Sequence, residues 1–187
     1  MASPVRASCS PEARGSMRPV TQDVNIRPAE MGDLPALGRL GAALVHTHHD
    51  LDERRFMTPT RDIEAGYSWF LGTQLSVPDN VVLVAAAGDA VVGYVFAGLE
   101  PASWKELRAP AGFIHDIMVE ASARGQGVAK RLVAAASAWL EARGAPRVML
   151  WTAERNTTAR RLFEGLGFRA TMIEMTREGG GDDECSK

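Results

Sequence analysis

The stretch Arg124-Gly-Gln-Gly-Val-Ala-Lys-Arg131 decides the fold of this 187-residue chain. It lies between an apolar strand candidate and an amphipathic helix candidate, and its small residues let a ligand approach the backbone closely. The first N–H groups of a helix have no partner inside the helix, and the helix dipole is positive there. Basic side chains within the same stretch add positive charge. The stretch therefore predicts a binding site for a phosphate or a pyrophosphate.

Three phosphate-binding motifs compete for this stretch. A Walker P-loop ends in Gly-Lys-Ser/Thr, which the sequence lacks. A Rossmann fingerprint needs a third small residue where Lys130 stands, and it usually opens a domain at the first strand. The third pattern, Arg/Gln-x-x-Gly-x-Gly/Ala, is matched by Arg124, Gly127 and Ala129. The third pattern is therefore favoured.

The hydrophobic pattern around the turn predicts an α+β fold with a mixed sheet. Asp33 is expected to cap the first helix, the dipeptide Gly88-Asp89 to form a two-residue hairpin turn, and Asn156 to cap the last helix. The predicted elements are a strand at 24–27, helices after Asp33 and at about 62–75, strands at 81–87, 91–99 and 113–119, a helix at 128–142, a strand at 147–152, a helix from Asn156, and a final strand at 168–176.

Charge and composition exclude several classes of protein. The chain has 21 basic and 23 acidic residues, which argues against a protein built to bind nucleic acid, and 45% of its residues are apolar, which argues against a disordered acidic chain. Residues 124–161, however, hold eight basic and only two acidic residues. This distribution indicates a local anion site, or else solvated arginines scattered over helix faces.

The sequence predicts one domain at 23–177 between a disordered tail at 1–22 and a flexible tail at 178–187. No run of 18 apolar residues is present, so neither a transmembrane helix nor a membrane partner is expected. Cys9 and Cys185 are the only cysteines. A disulfide-bonded core and a cysteine-rich metal site are therefore not expected, and a reducing, cytoplasmic setting fits best.

On these residues the chain resembles the GNAT superfamily of N-acetyltransferases, in which the third pattern binds the pyrophosphate of acetyl-CoA. The strand that precedes the turn ends at Val119, five residues before Arg124, which is the spacing of the family. The segment Asn156-x-x-Ala159-x-x-x-Phe163-Glu-Gly-Leu-Gly-Phe168 resembles the second segment of the family that contacts CoA. The resemblance covers roughly residues 24–177.

The resemblance implies a mixed, mostly antiparallel sheet flanked by helices and splayed between the strands at 113–119 and 147–152, with pantetheine in the gap. Asn156 would contact the cofactor as well as cap its helix, or would only cap it. The implied residues for acetyl-CoA are the backbone of Ile117, Met118 and Val119, the turn residues Arg124, Gly125, Gln126, Gly127, Val128, Ala129 and Lys130, and Asn156, Ala159 and Phe163 of the second segment.

Two neighbouring residues are candidates for the general base that takes a proton from the acceptor amine. His115 is preferred, because similar members of the family place a His or a Glu nine residues before the arginine, and because its ordinary pKa of about 6.5 suits the task. Strand alternation predicts that residues 115, 117 and 119 share one face and that Asp116, the second candidate, points to the other face. A satisfied core histidine is the alternative reading of His115.

Phe163 departs from the family, because many relatives carry a tyrosine here as a general acid for the departing thiolate. Phenylalanine has no proton to donate, so either the thiolate leaves unaided or another group, such as Tyr67 or Tyr94, supplies the proton. The segment His46-Thr-His-His-Asp50 is interpreted as a polar helix end, with a metal site or a lining of the acceptor pocket as alternatives, and no metal is predicted.

The expected activity is therefore N-acetylation. The resemblance implies transfer of an acetyl group from acetyl-CoA, as co-substrate, to a primary amine of a small molecule or peptide, by direct attack in a ternary complex. The alternative is a non-catalytic acyl-CoA-binding module on the same fold. No nucleic-acid partner is expected, and a homodimer is left open.

Overall fold

Five strands within residues 24–179, the part of the chain that this computed structural model describes, form one sheet with the order β1-β2-β3-β4-β5. The tail predicted at 1–22 and most of the tail predicted at 178–187 lie outside the described residues. The elements are β1 Val24–Pro28, α1 Leu34–Leu51, α2 Ile63–Gln74, β2 Asn80–Ala87, β3 Ala90–Glu100, β4 Ala111–Val119, α3 Val128–Ala142, β5 Val148–Leu150 and α4 Thr157–Glu164, with 3-10 turns at Met31–Asp33 and Ala121–Ala123.

Neighbouring strands are antiparallel from β1 to β4, and β5 alone runs parallel to its neighbour β4. The dipeptide Gly88-Asp89 connects β2 to β3 as predicted, since two residues suffice to reverse an antiparallel chain. The prediction of a mixed, mostly antiparallel sheet flanked by helices is confirmed. Among the described helices, none combines the length and the apolar character needed to cross a membrane.

The sheet has a hydrophobic core on each face. One core packs α3 against the sheet, with Leu132, Val133 and Leu140 almost fully buried. The other packs α1 and α2 against the opposite face, around Leu37 and Leu71. Because the two faces carry different helices, a residue's face on β4 decides which core it joins.

α1 and α2 approach each other closely at a glycine. A Cβ atom built on Gly41 would lie 2.0 Å from Cδ1 of Tyr67, which is far shorter than any real contact. The missing side chain lets the Tyr67 ring lie directly on the α1 backbone. This contact fixes the position of the Tyr67 hydroxyl over the sheet.

The sheet opens between β4 and β5. β5 has only three residues, and its register with β4 ends where Leu150 is opposite Ile114. Beyond Ile114, residues 116–119 of β4 pair with β3 on one side and have no described strand on the other. The predicted splay between these two strands is confirmed, although the second strand is shorter than the predicted range 147–152.

The final strand predicted at 168–176 is wrong. Residues 169–179 form no helix or strand and are exposed, including the side chains of Met172, Ile173 and Met175. A strand gains its backbone hydrogen bonds only from a neighbouring strand, and the three residues of β5 offer a short edge. The apolar pattern was therefore not sufficient to predict a strand. An exposed ion pair between Arg55 and Glu174 holds this segment against the loop after α1.

Candidate active site

The glycine-rich turn leaves open space beside both of its glycines. Gly125 and Gly127 have φ values of 72° and 78°, in the left-handed region that glycine adopts without strain. No atom lies within 4 Å of the position of a Cβ on either glycine. The N–H of Arg131 donates to the Gly127 carbonyl at 3.1 Å, so the preceding N–H groups have no partner deeper in α3. This arrangement suits an anion with several oxygen atoms.

The basic side chains of the turn are partly engaged by the protein itself. Nε of Arg124 donates to the Val119 carbonyl at 3.0 Å, and Nη2 of Arg131 donates to the Val24 carbonyl at 2.6 Å. These two arginines brace the turn against β4 and β1. Lys130 is exposed, and the amide of Gln126 donates to the Ser122 carbonyl at 2.9 Å while its oxygen is buried without a partner.

The open edge of β4 leads from the splay toward this turn. At the start of the edge, Trp151 follows β5 and is 71% exposed. Its ring and that of Phe113 meet in a T-shaped arrangement, with centroids 5.1 Å apart. Backbone groups of residues 117–119 lie along the same edge, where the family resemblance implies that pantetheine binds. The side chains of Ile117 and Val119 pack in the α3 core, whereas Met118 packs in the opposite core.

A β-bulge changes the faces predicted for the candidate bases. In the pairing of β3 with β4, Phe96 is opposite Asp116 but Ala97 is opposite Ile114, so His115 is an extra residue. His115 stacks on Phe96, which belongs to the core under α1 and α2, and Asp116 contacts Tyr67 of that same core. The predictions that residue 115 shares a face with 117 and 119, and that Asp116 points away from it, are therefore wrong.

His115 lies between two aromatic rings at the mouth of the splay. Its ring stacks on Phe96 at 4.8 Å and on Phe113 at 5.1 Å between centroids. Nε2 is 3.5 Å from a carboxylate oxygen of Glu100, and the side chain is 29% exposed. Burial lowers the pKa of His115, and the nearby carboxylates of Glu100 and Asp116 oppose that effect. The imidazole is therefore neutral near pH 7 and able to accept a proton.

Asp116 belongs to a cluster of phenols beneath the two helices. The Tyr67 hydroxyl donates to Asp116 Oδ2 at 3.1 Å, and the hydroxyl of the fully buried Tyr94 has no hydrogen-bond partner. Burial raises the pKa of Asp116 and that of both tyrosines. Tyr67 and Tyr94, which the sequence could not place, thus lie beside Asp116, where their hydroxyls hold their protons tightly.

The second predicted segment forms α4 and the turn before it. Oδ1 of Asn156 accepts from the N–H of Ala159 at 3.0 Å, so the predicted cap is confirmed. Phe163 is 6% exposed and packs in the α3 core, with the Phe168 ring 6.0 Å away between centroids. An apolar side chain suits this buried position in the α3 core.

The histidine-rich segment completes α1, which continues to Leu51. The His48 ring contacts the Phe56 ring at a tilted angle, and its Nδ1 is 3.0 Å from the Leu44 carbonyl oxygen. His46 lines a separate open cleft of about 500 Å³ between α1 and the start of α2. In residues 24–179 no group of three or more His, Cys, Asp or Glu side chains is arranged to hold a metal ion.

Two functional candidates were missed from the sequence. Glu100 lies at the end of β3, yet it reaches His115 only because the ten-residue connection to β4 brings the two strands into register. Trp151 was read as part of a strand, and its exposure depends on where β5 ends. Neither position carries a sequence signal, since both contacts join residues that are distant along the chain.

Comparison with known proteins places these features in a wider context. Residues 44–168 match the Acetyltransferase (GNAT) family. A mycothiol acetyltransferase of Thermobispora bispora is 38% identical over 66 residues, which are 35% of this chain and 22% of that protein. The chain thus matches only about a fifth of the length of this curated relative.

Solved structures share the whole fold. A transcriptional regulator from Bacillus halodurans C-125 is 25% identical, with a TM-score of 0.66, over 84% of this chain and 100% of its own. The aminoglycoside N-acetyltransferase AAC(6')-Iy in complex with CoA is 20% identical, with a TM-score of 0.65, over 84% of this chain and 95% of its own.

Proposed function

The chain belongs to the GNAT acetyltransferase family, and on that premise we propose that it transfers an acetyl group from acetyl-CoA to a primary amine of a small molecule or a peptide. The observation that carries the proposal is the placement of the partly exposed His115 where the splayed edge of β4 begins, on the same edge that leads to the glycine-rich turn. A base, a cleft and an anion site on one edge are the parts that this reaction needs.

The residues of the cleft fit acetyl-CoA. The open N–H groups of the turn at 125–130 would hold the pyrophosphate, with Lys130 exposed beside them. The free backbone edge of residues 117–119 would pair with pantetheine, and Asn156 and Ala159 would contact it from the start of α4. When bound, acetyl-CoA supplies a thioester that is already activated for attack by an amine.

His115 is the better of the two candidate bases. An amine arrives at neutral pH mainly as an ammonium ion and must lose a proton before it attacks. His115 is neutral at this pH and partly exposed to the cleft, whereas Asp116 already accepts a hydrogen bond from Tyr67. We assign the proton transfer to His115 and keep Asp116 as the alternative, because burial raises its basicity as well.

The leaving thiolate departs without a tyrosine donor in this proposal. Phe163 offers no proton, and the pKa values of Tyr67 and Tyr94 are raised, so both phenols are weak acids. A thiol of ordinary pKa, about 8.5, is a good leaving group without assistance.

An acceptor screen tests the proposed activity. Acetyl-CoA is incubated with the protein and a panel of amino acids, polyamines, aminoglycosides and peptides, and thiol release and acetylated product are both measured. Turnover with an amine supports the proposal. Tight binding of acetyl-CoA without turnover on any amine would support the alternative, a non-catalytic acyl-CoA-binding module.

The role of His115 is tested by its removal. We expect His115→Ala to lower kcat/KM by about 100-fold or more at neutral pH and to abolish the acidic limb of the pH–rate profile. The matched control is His46→Ala, because His46 lines a separate cleft and should leave both quantities unchanged. A His115→Ala profile identical to that of the wild type would remove His115 from the mechanism.

A further inference from the structure

Resting on the proposed role of His115 as the base, we propose that Glu100, held in place by Arg108, is a positioning residue for His115. Glu100 ends β3 and Arg108 lies in the connection between β3 and β4. Neither residue belongs to the motifs of the turn or of the second segment. Together they form a chain of contacts that ends at the imidazole.

Arg108 fixes one oxygen of Glu100. Its side chain is only 7% exposed, and Nη2 donates to Glu100 Oε2 at 2.5 Å while Nε donates to Glu106 Oε2 at 2.8 Å. A guanidinium that is buried to this extent needs such partners, because an unpaired buried charge is costly. The carboxylate of Glu100 is therefore held in a defined orientation by a group that stays charged at any working pH.

The second oxygen of Glu100 faces the histidine. Oε1 is 3.5 Å from Nε2 of His115, which is longer than a well-formed hydrogen bond but close enough for a direct electrostatic interaction. The rings of Phe96 and Phe113 already restrict the plane of the imidazole. The carboxylate then favours a proton on Nε2, which leaves Nδ1 as the nitrogen that accepts a proton from the amine.

Within residues 24–179, few charged groups lie near His115. Asp116 lies next to it on β4, Glu100 and the neutralising Arg108 approach from β3 and its loop, and α2 contributes the Tyr67 phenol. From α1, the charge of His48 lowers the pKa of Asp116 and is not among the charges that change the pKa of His115. Among these groups, Glu100 is the carboxylate whose oxygen approaches the ring within 4 Å, so removing its charge should affect His115 most directly.

Glu106 provides a matched control within the same cluster. It is bonded to the same guanidinium as Glu100 and, in the described contacts, not to His115. If the cluster only locks the loop between β3 and β4, Glu100→Gln and Glu106→Gln should have similar effects. If Glu100 positions His115, only Glu100→Gln should change the titration of the histidine.

The experiment measures the pKa of His115 by NMR titration and the pH profile of kcat/KM in the wild type, E100Q and E106Q, with the signal assigned through His115→Ala. Loss of the negative charge disfavours the imidazolium, so we expect E100Q to lower the pKa of His115 by roughly half to one unit, since both side chains are partly solvated. The acidic limb of the pH profile should move to lower pH by the same amount as the pKa. In E100Q, the factor by which kcat falls should be several times larger than the factor by which KM rises. E106Q should change none of these quantities.

Equal effects of E100Q and E106Q, or an unchanged pKa of His115 in E100Q, would overturn the inference. Glu100→Asp keeps the charge at a shorter reach, so the pKa of His115 should fall less in this variant than in E100Q. If E100Q does not fold, Glu100→Asp is compared with the wild type in its place. The NMR titration needs no turnover, so it separates the two proposals. The pKa of His115 could depend on Glu100 while His115→Ala leaves the rate unchanged. That result would support the contact between Glu100 and His115 and would exclude His115 as the base.

Discussion

At the scale of single residues, Asp33 joins β1 to α1 through both of its carboxylate oxygens. Oδ2 accepts from Nη1 of Arg27 at 2.7 Å and from the N–H of Glu30 at 2.8 Å, and Oδ1 accepts from Nη2 of Arg27 at 2.9 Å. The sequence predicted Asp33 as the cap of α1, and it does occupy that position, but its side chain makes no capping bond to the helix. A local motif indicated the residue, whereas its partner on β1 was visible only after folding.

The Arg27–Asp33 pair makes stability depend on pH. Hydrogen bonds from Arg27 lower the pKa of Asp33 below its usual range, so the pair stabilises the fold above the unfolded pKa of about 4. This stabilisation is lost as the pH falls through the folded pKa. We expect Asp33→Asn to reduce the free energy of unfolding at pH 7 by about 1 kcal/mol, and to flatten its fall below about pH 4, in urea denaturation.

Glu178→Gln is the control for that measurement, because Glu178 is exposed and lies outside every helix and strand. It should leave both the value at neutral pH and the slope at acidic pH unchanged. If the free energy of unfolding of Asp33→Asn falls below about pH 4 as steeply as that of the wild type, the Arg27–Asp33 pair is not the source of the pH dependence.

At the scale of elements, the turn before α3 depends on backbone conformations that only glycine adopts easily. We expect Gly127→Ala, with φ of 78°, to lower the free energy of unfolding by about 1 kcal/mol or more and to weaken acetyl-CoA binding. Gly66 lies inside α2, has an ordinary φ, and has no atom within 4 Å of the position that a Cβ would take. Gly66→Ala should therefore stabilise the protein by up to about 1 kcal/mol. Thermal and urea denaturation should show that the free energy of unfolding falls in Gly127→Ala and rises in Gly66→Ala. Changes in the same direction in both variants would refute the expectation.

The bulge in β4 shows what strand patterns miss. The alternation of residues 113–119 predicted the strand correctly but not the faces after Ile114, because one extra residue reverses the alternation. The bulge places His115 and Asp116 on the same side of the sheet, beside the phenols of α2 and β3. The two candidate bases therefore share one electrostatic environment instead of serving opposite faces.

At the scale of the whole molecule, protein groups already engage several basic side chains of the stretch 124–161. Several of its arginines are engaged by protein groups: Arg124 and Arg131 bind backbone carbonyls, Arg155 donates to the Leu51 carbonyl at 3.1 Å, and Arg143 lies 3.8 Å above the Trp139 ring. These contacts account for part of the basic stretch without any ligand. The remaining positive charge near the turn matches one compact anion better than a polymer backbone.

Ligand binding should raise the stability of the whole domain. A ligand that binds only the folded state adds about 2.7 kcal/mol when its concentration is 100 times the Kd. We expect acetyl-CoA and CoA to raise the Tm in a concentration-dependent way, and ATP at the same concentration to leave it nearly unchanged, because the turn lacks the Gly-Lys-Ser/Thr of a P-loop. Thermal melts with each ligand check this, and a larger shift with ATP would contradict the proposed cofactor.

The sequence alone determined the features that depend on neighbouring residues. Helix α3 matches its predicted range, Asn156 caps α4, and Gly88-Asp89 turns the hairpin, because capping, turn geometry and helical periodicity act over a few residues. The motif Arg124-Gly-Gln-Gly-Val-Ala-Lys-Arg131 likewise indicated the family, which the match over 44–168 confirms.

Only the tertiary structure decided the surroundings of the proposed base. The contact of Glu100 with His115, the buried phenols beside Asp116, and the absence of a strand at 168–176 all depend on segments that are far apart in the chain. Such contacts are set by strand register, by a single bulge and by the length of β5. These are properties of packing between elements, and a pattern of adjacent residues does not encode them.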